Sequence, residues 1–208
     1  VSSPKFDMNT QLHKALSVGI DYNEYIDLME TLAQKEGTTG PKQSPALIGY
    51  TKLNAARMRR LNKTFKPTGA DLSVIRSIDR PLTWLIITES WCGDAAQILP
   101  PINKLAAGNA NITVVHILRD EHPEVMNLFL TNGARSIPII AFIDEENEEV
   151  LGHWGPRPTE LQAIVMARKQ QENPEPYDIF QQGMQKWYNQ DKGRSTVGEF
   201  LATLAAQL

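Results

Sequence analysis

The sequence predicts an α/β protein: a mixed β-sheet flanked on both faces by helices, with extra helices at both termini. Three observations carry this. Residues 82–87 and 138–143 are apolar runs, and 111–118 is apolar and β-branched, as buried strands are. Helical patterns separate and surround these runs; after the first, Ile98, Ile102 and Leu105 share one helix face. Strands that alternate with amphipathic helices bury their apolar faces in one layered α/β arrangement.

In chain order, residues 1–10 read as poorly ordered. A helix is expected over 21–36, opened by Asp21 and Glu24 as a capping box, with Tyr22, Ile26, Met29 and Ala33 at helical spacing. A loop at 42–49, bracketed by Pro41 and Pro45, leads to a second helix at 50–66 with Leu53, Met58, Leu61 and Phe65 as its buried stripe. After the break at 67–69 come a short helix at 71–77 and the first strand. A helix at 94–107 is closed by Gly108 and Asn109, and the second strand follows. Residues 123–130 read as a helix, 138–143 and 150–154 as strands joined by an acidic hairpin, and 158–170 as the closing helix. A Pro-containing linker at 172–176 leads to amphipathic helices at 177–189 and 196–208. The expected organisation is a helical extension over 1–66, a core over 67–171 and a second helical extension over 172–208, packed as one globular unit. No internal repeat or low-complexity tract interrupts it.

Composition narrows the function. The 208 residues suit one domain with additions. A net charge of −3 gives no global basic field for nucleic acid. No apolar run approaches the roughly 20 residues of a membrane helix. A single cysteine argues against a disulfide-stapled secreted domain, and the first residues lack a signal-peptide core, so a cytoplasmic protein is expected. The chain starts at Val1, which leaves an upstream signal peptide open.

The chemistry concentrates in 88–101, T-E-S-W-C-G-D-A-A-Q-I-L-P-P. Cys92 falls where a strand ends and a helix begins. There, unpaired backbone N–H groups and the positive end of the helix dipole favour thiolate, the reactive form. Gly93 lets a partner chain approach the sulfur, and Trp91 flanks it with a flat apolar surface. The alternative for a free cysteine is a small buried hydrophobe. Asp94 either serves the helix dipole or, two residues from the thiol, raises its pKa against that dipole. Glu89 and Ser90 either line the same site or form a solvated loop.

This segment resembles the active site of the thioredoxin family, whose pattern is W-C-G-P-C followed by a proline-kinked helix. Trp91, Cys92 and Gly93 match, and Pro100 stands where the kinking proline does. Residues 133–139, G-A-R-S-I-P-I, resemble the family's cis-proline loop, and Trp154-Gly155 resembles the glycine after its last strand. The resemblance spans about 71–170. It implies a cis Ile137–Pro138 bond facing the sulfur, with Ile137 pairing to a bound peptide or thiol. Two departures stand out: the second cysteine is Ala95, and the buried acid of the preceding strand is Ile86. With one cysteine, a dithiol cycle within the chain is excluded.

Two functions follow from the resemblance. One is monothiol exchange, in which Cys92 takes a low-molecular-weight or protein thiol onto itself and an outside thiol releases it. The other is a redox-inactive binding module that uses the Cys92/Pro138 groove to hold a protein or peptide. A one-cysteine peroxidase fits less well, because its T-x-x-C pattern meets Glu89 here. Lys52, Arg57, Arg59, Arg60, Lys63 and Lys66 make the second helix basic. That run is a solvated face, a counterpart to the acids at 144–149, or an anion site for a glutathione-like thiol with Arg57 and Arg60 as its candidates. His13, His116, His122 and His153 form no metal signature, and His116 reads as a core residue. No cofactor motif is present, and no metal is expected.

Overall fold

Strand β1, Leu82–Thr88, is buried along its whole length, and the rest of the chain is laid around it. The structure, a computed structural model, describes residues 8–208. Successive strand side chains point to opposite faces. Trp84 and Ile86 on one face and Leu85 and Ile87 on the other are all fully buried, so both faces of the sheet are covered. Burying each of these side chains contributes about 1.5–3 kcal/mol. The sheet order is β2-β1-β3-β4. β2 (Ile112–Leu118) runs parallel to β1, and β3 (Ile139–Asp144) antiparallel to it. β4 (Glu149–Trp154) is antiparallel to β3. This is the mixed, helix-flanked sheet that the sequence predicts.

The helices before the sheet are α1 (Met8–Val18), α2 (Tyr22–Gln34), α3 (Pro45–Thr64) and α4 (Gly69–Arg76). The expected disorder at 1–10 falls, for 1–7, outside the described residues; positions 8–10 begin α1, which the sequence reading missed. Leu12 and Ala15 bury its inner face, and beyond it Ile20 exchanges two backbone hydrogen bonds with His116 on the free edge of β2. That short bridge blunts the edge. Asp21 and Glu24 form the expected capping box on α2. α3 starts earlier than position 50, because Ser44 caps it and Pro45 occupies its first turn. Its buried face is Thr51, Asn54, Ala55 and Met58; Leu53, expected inside, is 53% exposed.

After β1 comes α5 (Ala95–Ala106), with Pro100 and Pro101 in its interior. α6 (Pro123–Met126) is a single turn continued by a 3-10 turn. α7 (Thr159–Lys169), α8 (Tyr177–Asp191) and α9 (Arg194–Ala205) complete the chain. α9 is part of the core: Phe200 packs edge-on against Trp84 at 4.8 Å, Phe142 at 5.5 Å and Trp154 at 6.0 Å between ring centroids. Lys192 and Gly193, both with positive φ, turn the chain from α8 into α9. Among the described residues, no helix is long and apolar enough to cross a membrane.

Candidate functional site

The turn between β1 and α5 holds Cys92 at the lip of a pocket. Backbone geometry sets it there: the Cys92 N–H bonds the Glu89 carbonyl at 3.1 Å, and the Cys92 carbonyl accepts the Ala96 N–H at 3.2 Å. Sγ accepts the Ala95 N–H at 3.4 Å and donates to the Ile137 carbonyl at 3.4 Å. The Ile137–Pro138 bond is cis, as is Gly155–Pro156. Gly155, at φ +128°, is required at its place, since a Cβ there would lie 2.4 Å from the Pro138 carbonyl oxygen. The loop after β4 thus presses directly on the loop that faces the sulfur.

Cys92 is buried, at 6% exposure. Burial first, and the Asp94 charge second, push its thiol up to about 12; the Ala95 N–H and Arg157 pull the other way. The dipole-favoured thiolate expected from the strand-to-helix position is therefore outweighed, because desolvation penalises the charged form more than one N–H rewards it. Asp94 raises the thiol's pKa, and it makes no capping bond. Its carboxylate instead takes both Arg157 Nη2 at 2.6 Å and Nε at 3.1 Å, and the Tyr188 hydroxyl at 2.9 Å. It ties α8 and the loop after β4 across the start of α5. Gln185 of α8 adds a bond to the Gly93 carbonyl at 3.3 Å and receives one from Gln97 at 2.7 Å. Trp91 is half-buried, with the Arg119 guanidinium 4.7 Å above its ring centroid.

Glu89 and Ser90 are fully buried, so the solvated-loop alternative fails. The Thr39 hydroxyl and the Asp120 N–H hold the Glu89 carboxyl, and burial raises its pKa. Ser90 is held by the Thr39 N–H at 2.9 Å and by Asn54 Nδ2 on its carbonyl at 2.9 Å. Ile86 stands wholly buried behind the site, and the buried acids near it are Glu89 and Asp94, both after the end of β1. His116 is a neutral core residue: it lies 5.6 Å from Tyr22 and 5.2 Å from Tyr25, both stacked, and burial brings its pKa down to about 4.

Arg57 and Arg60 face different places. Arg57 is half-buried, donates to Asn54 Oδ1 at 2.8 Å and lies near Gly93. Arg60 donates to Asn189 Oδ1 at 2.8 Å and lines a separate cleft. Elsewhere in the basic run, Arg59 and Lys52 find acids on and just after α2, as Arg59–Glu30 at 2.6 Å and Lys52–Glu36 at 2.7 Å. The acids at 144–149 are not its counterpart: Asp144 pairs with Arg80 and accepts the turn's own N–H groups. Sequence reasoning missed Arg157, Tyr188, Gln185 and Arg168, because each reaches the site from an element distant in the chain with no motif around it.

With this geometry in place, the comparisons assign the chain. It belongs to the Thioredoxin family, whose pattern matches residues 40–173. It is similar in fold to a protein of unknown function from Pseudomonas aeruginosa, at 18% identity and a TM-score of 0.60, covering 94% of this chain and 98% of that one. An HIV epitope-scaffold protein is similar at 18% identity and a TM-score of 0.59, covering 93% and 97%. Among curated proteins none matches.

Proposed function

We propose that this thioredoxin-family chain is a binding module: the groove formed by Cys92, Ile137 and Pro138 holds a partner without disulfide turnover. The supporting observation is the enclosure of Cys92. Its Sγ is hydrogen-bonded inside the protein at both the Ala95 N–H and the Ile137 carbonyl, under a roof tied down by Tyr188 and Gln185. Burial pushes the thiol's pKa up to about 12, so the thiolate is disfavoured at neutral pH. Exchange rates follow the thiolate fraction, so this sulfur is a poor nucleophile where it is held. Position 95 offers no second sulfur to resolve a mixed disulfide.

A second reading is monothiol exchange with a low-molecular-weight or protein thiol. One observation favours it: Cys92 lines a cavity of about 380 Å³. There, the Cys92 thiolate would attack a disulfide R–S–S–R, forming Cys92–S–S–R and releasing R–S⁻. An outside thiol would then displace Cys92 and carry R away as a new disulfide. Incubation with 2,2′-dithiodipyridine across pH, read by intact mass with Cys92→Ser as control, separates the two. The binding reading expects no adduct on folded protein below about pH 9, and rapid labelling once urea unfolds it. Labelling of the folded protein at neutral pH, at the rate of an ordinary free thiol, overturns it and puts exchange first.

A further inference from the structure

The cavity above Cys92 carries a charge imbalance. Five cations line it: Arg119, Arg135, Arg157, Arg168 and Lys169. Asp94 is the lining acid, and Arg157 takes it; Arg119 pairs with Asp120 at 2.8 Å. Among the described residues, Arg135, Arg168 and Lys169 have no carboxylate partner. Three uncompensated positive charges thus face one concavity on a chain whose net charge is −3.

Arg168 is held ready. Its guanidinium lies 4.8 Å from the Phe180 ring centroid and 5.6 Å from that of Tyr177, and Nη2 donates to the Glu175 carbonyl at 2.7 Å. Its Nε is buried and has no hydrogen-bond partner. A buried unpartnered donor on a charged group is costly, and buried polar groups are otherwise almost always paired. The walls between the cations are apolar: Trp91, Val165, Phe180 and Met184. At about 380 Å³ the cavity lies at the small end of small-molecule sites, and α8 roofs it, so an extended peptide does not fit without displacing that helix.

We infer that this cavity binds a small organic anion with two or more negative charges. Its carboxylate or phosphate groups are held by Arg135, Arg168 and Lys169, and its body lies against Trp91, Phe180 and Met184 over the Cys92 thiol. The guanidinium fork suits the planar carboxylate or phosphate face, and low-dielectric walls focus the cationic field on it. This rests on reading the groove as a binding site and names its occupant.

Calorimetric titration of the full chain tests it, with citrate as the carboxylate probe, glucose 6-phosphate as the phosphate probe and glucose as the neutral control. At least one anion binds below about 1 mM, and the better of the two identifies the head group. Arg168→Gln with Lys169→Gln weakens that binding by on the order of a hundredfold, from two lost charge-assisted contacts. Lys63→Gln with Lys66→Gln, an equal loss of two charges outside the cavity, leaves it unchanged. Arg135→Gln is the fallback if the double variant does not fold by circular dichroism, and weakens binding roughly tenfold. Absence of binding by both anions, or binding untouched by these cavity variants, overturns the inference. The dithiodipyridine result is independent: a reactive Cys92 removes the binding-module reading yet leaves the anion site standing if the cavity variants still weaken citrate or glucose 6-phosphate binding.

Discussion

Replacing Asp94 with asparagine should loosen the site and expose the thiol at once. The Asp94 side chain is 7% exposed and that of Arg157 13% exposed, so their ion pair at 2.6 Å is largely withdrawn from water. Removing one charge of such a pair leaves the other buried and uncompensated, at about 3–5 kcal/mol. The substituted amide keeps an oxygen for the Tyr188 hydroxyl and so retains one neutral hydrogen bond, about 1 kcal/mol. The expected net loss is about 3 kcal/mol, or a fall in Tm of roughly 6–12 °C for a chain of this size. The Asp94 charge is also the second-largest influence raising the Cys92 pKa, so its removal should lower that pKa and speed labelling. Urea unfolding measures the first effect and dithiodipyridine kinetics the second. In a double-mutant cycle, Asp94→Asn with Arg157→Gln should cost clearly less than the sum of the singles. A loss below about 1 kcal/mol, with additive singles, would show the pair to be solvent-screened and refute the reasoning.

Two further outcomes test other parts of the fold. His116 has its pKa lowered to about 4 by burial, so the folded state resists a proton that the unfolded chain accepts near 6.5. Its contribution is fully present above pH 6.5 and is lost as pH falls toward 4, by about 3 kcal/mol at most. His116→Gln should flatten the stability profile in that window relative to wild type; an unchanged slope means other groups set it. Gly155→Ala should destabilise by roughly 1–3 kcal/mol or more, because φ +128° suits no L side chain and the new Cβ would meet the Pro138 carbonyl at 2.4 Å. Equal urea midpoints for the two proteins would contradict it.

The sheet was legible because its signal is local. β1 is buried on both faces, so its sequence is a continuous apolar run, and the strand-to-helix turn at Cys92 follows from the change of period after it. The capping box on α2 was legible for the same reason. α1 escaped notice because its buried side chains, among the described ones, are only Leu12 and Ala15, too few to mark a helical period. Asp94 shows the boundary most clearly. Its residue type and its place two positions from the thiol were evident, but Arg157 and Tyr188 arrive from 63 and 94 residues away, and no spacing announces such partners. The state of Cys92 lay beyond the sequence for the same reason. A helix start favours thiolate by a few local N–H groups, whereas desolvation is set by α8 and the Ile137 loop closing over the sulfur. The sequence alone determined where the thiol stands and that it stands alone; tertiary packing decided that it is buried and its pKa raised, since burial is a property of every element around a residue and not of its neighbours in the chain.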